Sequence, residues 1–161
     1  MRSKISQRLA LIAMIPATLL GMVLVAAPAN AAVASEAKMQ GDIVYLTNKQ
    51  RALHGCGAVR VDARLIKAAR GHSAYMATGG AFSHIGRGGS TFDARIKAAG
   101  YPAPGGENIA FGYRSGLDVM KAWLASPGHR ANLLNCSFKT IGAGAVYAKN
   151  GTPYFSQEFG Y

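Results

Sequence analysis

Several residue types and motifs that would narrow the function are scarce or missing. The chain has only two cysteines, and neither belongs to a C-x-x-C pair, which argues against a thiol redox motif. It lacks the H-E-x-x-H helix of zinc proteases and the glycine-rich loops that cradle phosphates. Gly71-His-Ser-Ala-Tyr75 resembles a nucleophile elbow, but Tyr75 replaces the second glycine. No established catalytic signature therefore supports an enzyme.

Acidic residues are also few. The chain has 7 Asp and Glu against 18 Lys and Arg, for a formal net charge of +11. The basic residues are scattered and are not interleaved with aromatic residues, so nucleic-acid binding is disfavoured. A positive charge suits contact with an anionic cell-wall polymer or a membrane surface, although solubility alone would also account for it.

The N-terminal segment contains the long apolar run of the chain. Three basic residues precede an apolar stretch over residues 9–25, and Ala29-Asn-Ala31 has the small-x-small pattern of a secretory cleavage site. The stretch is shorter than the roughly 20 residues that usually span a membrane. We predict that residues 1–31 are a cleaved signal peptide and that the secreted chain keeps no transmembrane segment. An uncleaved anchor is the alternative.

The exported part, residues 32–161, has the length of one domain with a sizeable core, and we expect it to be a monomer. Both cysteines, Cys56 and Cys136, lie in it. In an oxidising compartment a lone pair most simply forms one disulfide, which would contribute about 4–5 kcal/mol in the chain-entropy model. A catalytic or metal-binding thiol is the sharper alternative.

Capping residues and apolar spacing predict the helices. Ser35 predicts a helix to about Leu53, and Asp62 predicts a second helix whose buried stripe includes His72, favoured as a core histidine with a hydrogen-bond partner. Capping boxes open two more helices at Ser90 and Ser115. The predicted buried face of the first helix is Met39, Ile43, Leu46, Gln50 and Leu53.

A hairpin is predicted at the C-terminus. Asn150-Gly151 between two apolar runs is a strong hairpin signal, and a two-residue turn would pair Val146 with Phe155 and Gly144 with Gln157. Both faces of this hairpin can be covered by helices. We therefore predict an α+β fold, with a small, mainly antiparallel sheet between helix layers.

Three side chains capable of chemistry stand next to chain breaks. His84 follows the Gly79-Gly80 break, and Glu107 follows a glycine pair at the entry to a short strand. Pro127 and Gly128 should end the helix that carries Trp123, which would place His129 on a turn.

Five motifs in one order carry a resemblance to a known family. Together they resemble a bacterial member of the CAP superfamily, which contains cysteine-rich secretory proteins, insect venom allergens and plant pathogenesis-related proteins. The resemblance covers residues 39–161 and implies an α-β-α sandwich. The motifs are Phe82-Ser-His84, Gly106-Glu-Asn-Ile-Ala110, Trp123 with Ser126-Pro-Gly-His-Arg-Ala-Asn-Leu-Leu134, Gly142-Ala-Gly144 and Tyr154-Phe-Ser-Gln-Glu-Phe-Gly160.

The resemblance also implies a central cavity. In the family, two histidines and two glutamates line it and can hold a divalent ion; here they correspond to His84, His129 and Glu107, with Ser126 in place of the second glutamate. Two imidazoles and one carboxylate suffice for an open zinc site, although we expect weaker affinity than with the full set. The same residues can instead form a hydrogen-bonded cluster without metal. Gln157 is a further cavity candidate.

Three functions follow from these observations. The favoured one is a non-enzymatic secreted module that binds a lipid or another apolar small molecule, since the resemblance implies sterol or fatty-acid binding. The second is a surface protein that contacts an anionic cell-wall polymer through its positive charge. The third is a metal-dependent hydrolase or protease that uses His84, His129 and Glu107. One fold hosts many activities, so the resemblance does not choose among them.

Overall fold

The computed structural model describes residues 33–161, so the predicted signal peptide, residues 1–31, lies outside the described residues. Within this range, no helix combines the length and apolar character that a membrane crossing requires. The elements, in chain order, are α1 (Glu36–Leu53), β1 (Arg60–Val61), α2 (Ala63–Ala77), a 3-10 turn (Arg87–Gly89), α3 (Phe92–Ala98), β2 (Pro104–Phe111), α4 (Gly116–Ala125), α5 (Pro127–Leu133), β3 (Thr140–Tyr147) and β4 (Pro153–Gly160).

The strands form one sheet in the order β1-β3-β4-β2. β1 is parallel to β3, whereas β3 and β4, and β2 and β4, are antiparallel. Helices cover both faces, which confirms the predicted α+β fold and its α-β-α layers. The main core lies between the sheet and α1, α4 and α5, and includes Ile43, Met120, Trp123, Leu133, Ile141, Phe155 and Phe159.

Two glycines let α2 lie directly on the other face of the sheet. A Cβ at Gly142 would overlap the carbonyl carbon of Leu65, and one at Gly144 would lie 2.5 Å from that of Ala69. Real Cβ atoms do not approach other atoms so closely. The backbone of α2 therefore rests on β3, and this close approach brings the inner face of α2 to the buried side chains of β2 and β4.

Three of the predicted helix starts are confirmed. The side chains of Ser35, Asp62 and Ser115 accept backbone N–H groups at the first turns of α1, α2 and α4. The remaining predicted helix, expected to begin with a capping box at Ser90, starts one residue later, because Thr91 is the N-cap of α3.

The predicted buried face of α1 is wrong in its second half. Leu53 is 69% exposed, whereas Thr47 and Arg51 are fully buried. Arg51 donates to the carbonyl oxygens of four residues: Gly57, Leu133, Asn135 and Phe138. These carbonyls accept hydrogen bonds from its guanidinium, and this makes burial of the charged side chain possible. The apolar spacing of the helix did not predict that Arg51 would be buried.

The predicted hairpin is present, but its register is shifted by one residue. Val146 pairs with Tyr154 and Gly144 with Ser156, where Phe155 and Gln157 were expected. Within residues 33–161 only glycines have positive φ, Gly151 at +82° among them, so Asn150-Gly151 does not form the predicted two-residue turn. The loop is one residue longer, and Ala148 N–H donates to Thr152 O at 2.8 Å.

The predicted disulfide joins Cys56 to Cys136 across 80 residues of sequence. It ties the segment after α1 to the segment after α5. Since both cysteines are in the bond, neither is free to act as a thiol.

Side chains cover the outer edge of β2, the strand at one end of the sheet. Trp123 Nε1 donates to Ile109 O at 3.1 Å, and Asn132 Nδ2 donates to Glu107 O at 3.0 Å. These bonds attach α4 and α5 to the edge strand and fix the position of the helices relative to the residues of β2.

Candidate functional site

Glu107 is the centre of a buried polar cluster. It lies inside β2 and not in the loop before it, and its side chain is 1% exposed. Its Oε1 accepts a hydrogen bond from His84 Nδ1 at 2.8 Å, and its Oε2 accepts one from Arg95 Nη2 at 2.5 Å. Arg95, on α3, also donates to the carbonyl oxygens of His84 and Ser90. One cation therefore holds both the carboxylate and the loop that carries its histidine.

His84 lies on the loop between α2 and α3, as predicted, and its side chain is 54% exposed. The contact with the Glu107 carboxylate places the proton of the neutral imidazole on Nδ1, because a carboxylate only accepts hydrogen bonds. The other ring nitrogen, Nε2, then keeps its lone pair. A carboxylate that orients an imidazole in this way is a common arrangement behind a metal ligand or a general base.

His72 approaches the cluster from α2. Its Nε2 lies 2.9 Å from Ser83 O and 3.8 Å from Glu107 Oε2. Burial lowers the pKa of His72, which keeps the ring neutral at neutral pH. The prediction of a core histidine with a backbone partner is confirmed. The ring also lies next to the Glu107 carboxylate and therefore borders the polar cluster.

The sequence reasoning missed two residues of the cluster, Arg95 and Glu158. Glu158 lies opposite Glu107 in the ladder between β2 and β4. Its side chain is fully buried, and neither carboxyl oxygen has a hydrogen-bond partner among residues 33–161. Burial, reinforced by the charge of Glu107, raises the pKa of Glu158 well above its usual range, which favours the protonated form of the group. The local signal was a carboxyl group inside a mostly apolar strand, which becomes informative only once its neighbour Glu107 is known.

His129 belongs to α5 and not to a turn, which corrects the prediction for this residue. Ser126 ends α4 and caps α5, and Pro127 takes the first position of α5, where its missing N–H leaves no bond unmade. The chain therefore starts a new helix where a stop was predicted. Burial, and to a smaller degree the nearby His84, lowers the pKa of His129.

Ser126 and His129 line a groove with a volume of about 280 Å³ beside the edge of β2. The imidazole of His129 lies 6.4 Å from the indole of Trp123, measured between ring centroids. At the rim, the rings of Phe82 and Phe111 meet edge to face at 4.7 Å. The remaining lining is mostly apolar: Ile109, Ala110, Tyr113, Ala122 and Trp123.

Gln157, also predicted for the cavity, is fully buried. Its Nε2 donates to Thr47 Oγ1 at 2.8 Å, and its Oε1 accepts from Asn108 Nδ2 at 3.0 Å. Asn108 also donates to the carbonyl oxygen of His129. Gln157 therefore supports the position of α5 from inside the fold and does not face the groove.

The predicted metal ligands are only partly brought together. His84 and Glu107 are in contact, but both carboxylate oxygens of Glu107 are already engaged, by His84 and by Arg95. Among residues 33–161, no group of three His, Cys, Asp or Glu side chains has an arrangement that could hold a metal ion. In this arrangement Glu107 fits as the carboxylate that orients His84 and not as a direct ligand.

The layered fold, the Glu107 cluster and the groove define a domain of the CAP type. The profile of the cysteine-rich secretory protein family, CAP, matches residues 44–159. The chain belongs to this family, which confirms the resemblance drawn from its motifs.

Two curated relatives come from Bacillus subtilis (strain 168). The chain is 38% identical to the uncharacterized protein YkwD over 120 residues, which cover 73% of this chain and 46% of the relative. It is 32% identical to the uncharacterized membrane protein YlbC over 118 residues, covering 73% of this chain and 33% of that protein. The chain thus spans less than half the length of either relative.

Solved structures share the fold. An extracellular protein with an SCP domain from Bacillus anthracis superposes with a TM-score of 0.71 at 33% identity, covering 78% of this chain and 41% of that chain. An outer surface protein from Borrelia burgdorferi superposes with a TM-score of 0.69 at 21% identity, covering 78% of this chain and 96% of that chain. The second likeness concerns the fold alone.

Proposed function

We propose that the protein is a secreted CAP domain that binds a small apolar ligand in the groove, without a catalytic step. The observation that carries the proposal is the composition of the groove, in which aromatic and aliphatic walls surround a few polar groups. That composition and a volume near 300 Å³ are typical of small-molecule sites. Ser126 and His129 can hydrogen-bond the polar end of an amphipathic ligand such as a fatty acid or a sterol.

Secretion is supported by three independent observations. The N-terminal segment has the pattern of a signal peptide, the two cysteines form a disulfide, and an extracellular protein is among the structural neighbours. Mass spectrometry of the culture supernatant tests it. The expected product begins at residue 32, and a chain that stays with the cells and keeps residues 1–31 would contradict secretion.

Trp123 gives the binding proposal a direct test, since it is the only tryptophan and lines the groove. Titration of the purified protein with a fatty acid and with a sterol should change its fluorescence in a saturable way. Phe82→Ala should weaken binding, because Phe82 forms part of the rim. Leu53→Ala, an equally apolar truncation at an exposed site outside the groove, is the matched control. If neither the fatty acid nor the sterol showed saturable binding, the proposal would be contradicted.

A surface role has its own supporting observation. Two of the seven acids, Glu107 and Glu158, are buried, so the exposed surface is poorer in negative charge than the composition indicates. We infer a second candidate function, contact with an anionic wall polymer. Retention on isolated cell walls should fall steeply with rising salt, because exposed charges are screened beyond about 8 Å at physiological ionic strength. Retention that is insensitive to salt would argue against it.

The proposal includes one way in which the site could bind a divalent ion such as zinc. His84 Nε2 and His129 would supply two imidazoles, Glu107 would orient His84, and water would complete the coordination. The contact between His84 and Glu107 supports this arrangement. The hydrolase alternative requires such an ion, so loss of turnover on chelation and in His129→Ala would be needed to support it.

A further inference from the structure

Exposed apolar side chains are concentrated beside the groove. Four of them, each 47–49% exposed, lie on two chain segments that also supply groove-lining residues: Phe82, Ile85, Phe111 and Leu117. We call these segments, residues 81–85 and 111–117, the apolar rim. The other large apolar residues that are exposed within residues 33–161 are spread over α1, β1 and the two ends of that range.

Ring contacts join the two segments of the apolar rim. The rings of Phe82 and Phe111 have centroids 4.7 Å apart, and Phe111 also stacks on Tyr154 at 5.6 Å. Single exposed apolar side chains are normal, whereas a contiguous patch marks a contact surface. The groove accounts for Phe82 and Phe111, which line it, but not for Ile85 and Leu117, which do not.

Basic side chains surround the groove. Three exposed cations are each the chain neighbour of a groove-lining residue: Arg114, Lys121 and Arg130. The ion pairs among residues 33–161 include none of the three. The acid in the same stretch, Asp118, accepts a hydrogen bond from the Ser115 hydroxyl. The chain around the groove therefore carries more positive than negative charge.

An anionic lipid bilayer matches both features. Its interface takes up aromatic and aliphatic side chains, and its surface potential attracts cations. The cations need no partner in water, but beside an anionic bilayer each strengthens binding about fivefold. An anionic wall polymer would attract the cations and leave the apolar side chains in water. A second copy of this chain would bring like charges together across a symmetric interface.

We propose that the apolar rim docks the protein on an anionic lipid bilayer. The side chains of the rim enter the interface, and the neighbouring cations lie at the lipid headgroups. Phe82 and Phe111 also line the groove, so a poorly soluble ligand can pass from the bilayer into it. This transfer step rests on the proposed function, whereas docking itself requires no ligand in the groove.

Co-sedimentation with vesicles tests the docking. The mature protein should bind vesicles that mix phosphatidylglycerol with phosphatidylcholine at least about tenfold more tightly than vesicles of phosphatidylcholine alone. Equal binding to the two vesicles, or binding to neither, would overturn the proposal.

Matched apolar variants locate the docking surface. The double variant Ile85→Ser, Leu117→Ser should weaken binding to the anionic vesicles about tenfold or more, because both side chains leave water on docking. The double variant Leu53→Ser, Val61→Ser removes similar side chains from α1 and β1 and should stay within about twofold. Equal losses would contradict the assignment to the rim. All four positions are exposed, so the fold should tolerate both variants.

Matched charge variants test the electrostatic part. Arg114→Gln with Lys121→Gln should weaken binding to the anionic vesicles at least about tenfold. Arg60→Gln with Lys49→Gln removes the same charge from exposed positions on β1 and α1 and should have a much smaller effect. Equal losses in the two variants would show attraction by net charge alone and would overturn the proposed orientation.

Hydrogen exchange gives an independent readout. Anionic vesicles should protect the backbone amides of residues 81–85 and 111–117 and leave those of residues 53–61 unchanged. Protection of residues 53–61 alone would overturn the proposal. A dimer that protects the rim in the absence of lipid would also overturn it and would assign the surface to a second copy of the chain.

Titration of Trp123 separates this proposal from the proposed function. Ile85 and Leu117 do not line the groove, so their double variant should bind a dispersed fatty acid, without vesicles, as the unmodified protein does. Vesicle docking without fatty-acid binding would support the rim and contradict the groove ligand. Fatty-acid binding without preference for anionic vesicles would support the ligand and contradict the rim.

Discussion

Glu107 and Glu158 face each other across neighbouring strands in the core, and only Glu107 has an Arg partner. The two carboxyl groups therefore differ in environment. Glu107 accepts hydrogen bonds from Arg95 and His84, whereas burial beside Glu107 raises the pKa of Glu158 and favours its protonated form. The cluster thus contains a fully buried carboxyl group whose oxygens have no hydrogen-bond partner within residues 33–161.

The pH dependence of stability should reveal this acid. Since its pKa is raised in the folded state, the folded chain binds more protons than the unfolded chain above about pH 4.5, the usual pKa of the group, and stability falls as pH rises. Glu158→Gln should remove this loss and raise the free energy of unfolding by about 1–3 kcal/mol at neutral pH. Urea unfolding between pH 4.5 and 8 measures it, with Asp42→Asn, at a half-buried acid paired with Lys38 near the surface, as the control. Parallel profiles for Glu158→Gln and the unmodified protein would contradict the assignment.

Filling the groove should abolish ligand binding. Ser126 lines it and makes no capping bond through its side chain, so Ser126→Phe places a ring in the groove without removing a structural contact. We expect the affinity for a fatty acid to fall at least about tenfold while the unfolding midpoint changes little. Ala125→Phe adds the same ring at the preceding, exposed position and serves as the control. Equal affinity in the two variants would place the ligand elsewhere.

Metal affinity should be modest. Glu107 is engaged by His84 and Arg95, so a zinc ion gains two imidazoles and no free carboxylate. Metal analysis after dialysis against zinc should find substoichiometric metal, which the double variant His84→Ala, His129→Ala lowers further. Stoichiometric zinc that survives a chelator would show that Glu107 leaves Arg95 to become a direct ligand. Equal, negligible metal in both proteins would remove the ion from the proposed function.

Arg51 should be among the residues most sensitive to substitution. Arg51→Met keeps much of the apolar stem but leaves four carbonyl acceptors, two of them in buried hydrogen bonds, without their donor. We expect a loss of about 3 kcal/mol or more in the free energy of unfolding. Arg51→Lys should recover only part of it, since an ammonium cannot reproduce the planar fork. Arg60→Met is the exposed control, and urea unfolding gives the comparison.

Removal of the disulfide should be comparably costly. The bond closes a loop of about 80 residues, for which the chain-entropy model gives about 4–5 kcal/mol. The double variant Cys56→Ser, Cys136→Ser should unfold at a lower urea concentration by the corresponding amount. If the urea midpoint shifted no more than in Arg60→Met, the disulfide would hardly restrain the unfolded chain.

The sequence predicted those parts of the fold that depend on local chemistry. Helix starts followed from Ser35, Asp62 and Ser115, whose side chains bond within one turn, and the disulfide followed from the cysteine count. The same logic located Glu107 and His84 but could not establish their contact, because the loop after α2 and strand β2 meet only in the tertiary structure.

The sequence predictions were wrong or incomplete where groups that are distant in the sequence determine the structure. Nothing near Arg51 in the sequence indicates that three carbonyls from the remote segment 133–138 surround its guanidinium together with Gly57 O. The hairpin register depends on which residues of the loop take positive φ, and Gly151 does so without Asn150. Glu158 was overlooked because a carboxyl inside an apolar strand becomes informative only when its neighbour, Glu107, is known.

The hydrogen bonds from Trp123 and Asn132 to the edge of β2 affect the tendency of the protein to aggregate. An edge strand with free carbonyls can recruit a strand from another chain and start fibril growth. Here Ile109 O and Glu107 O already have donors from α4 and α5. Concentrated protein should therefore resist polymerisation through this edge as long as the two helices stay in place.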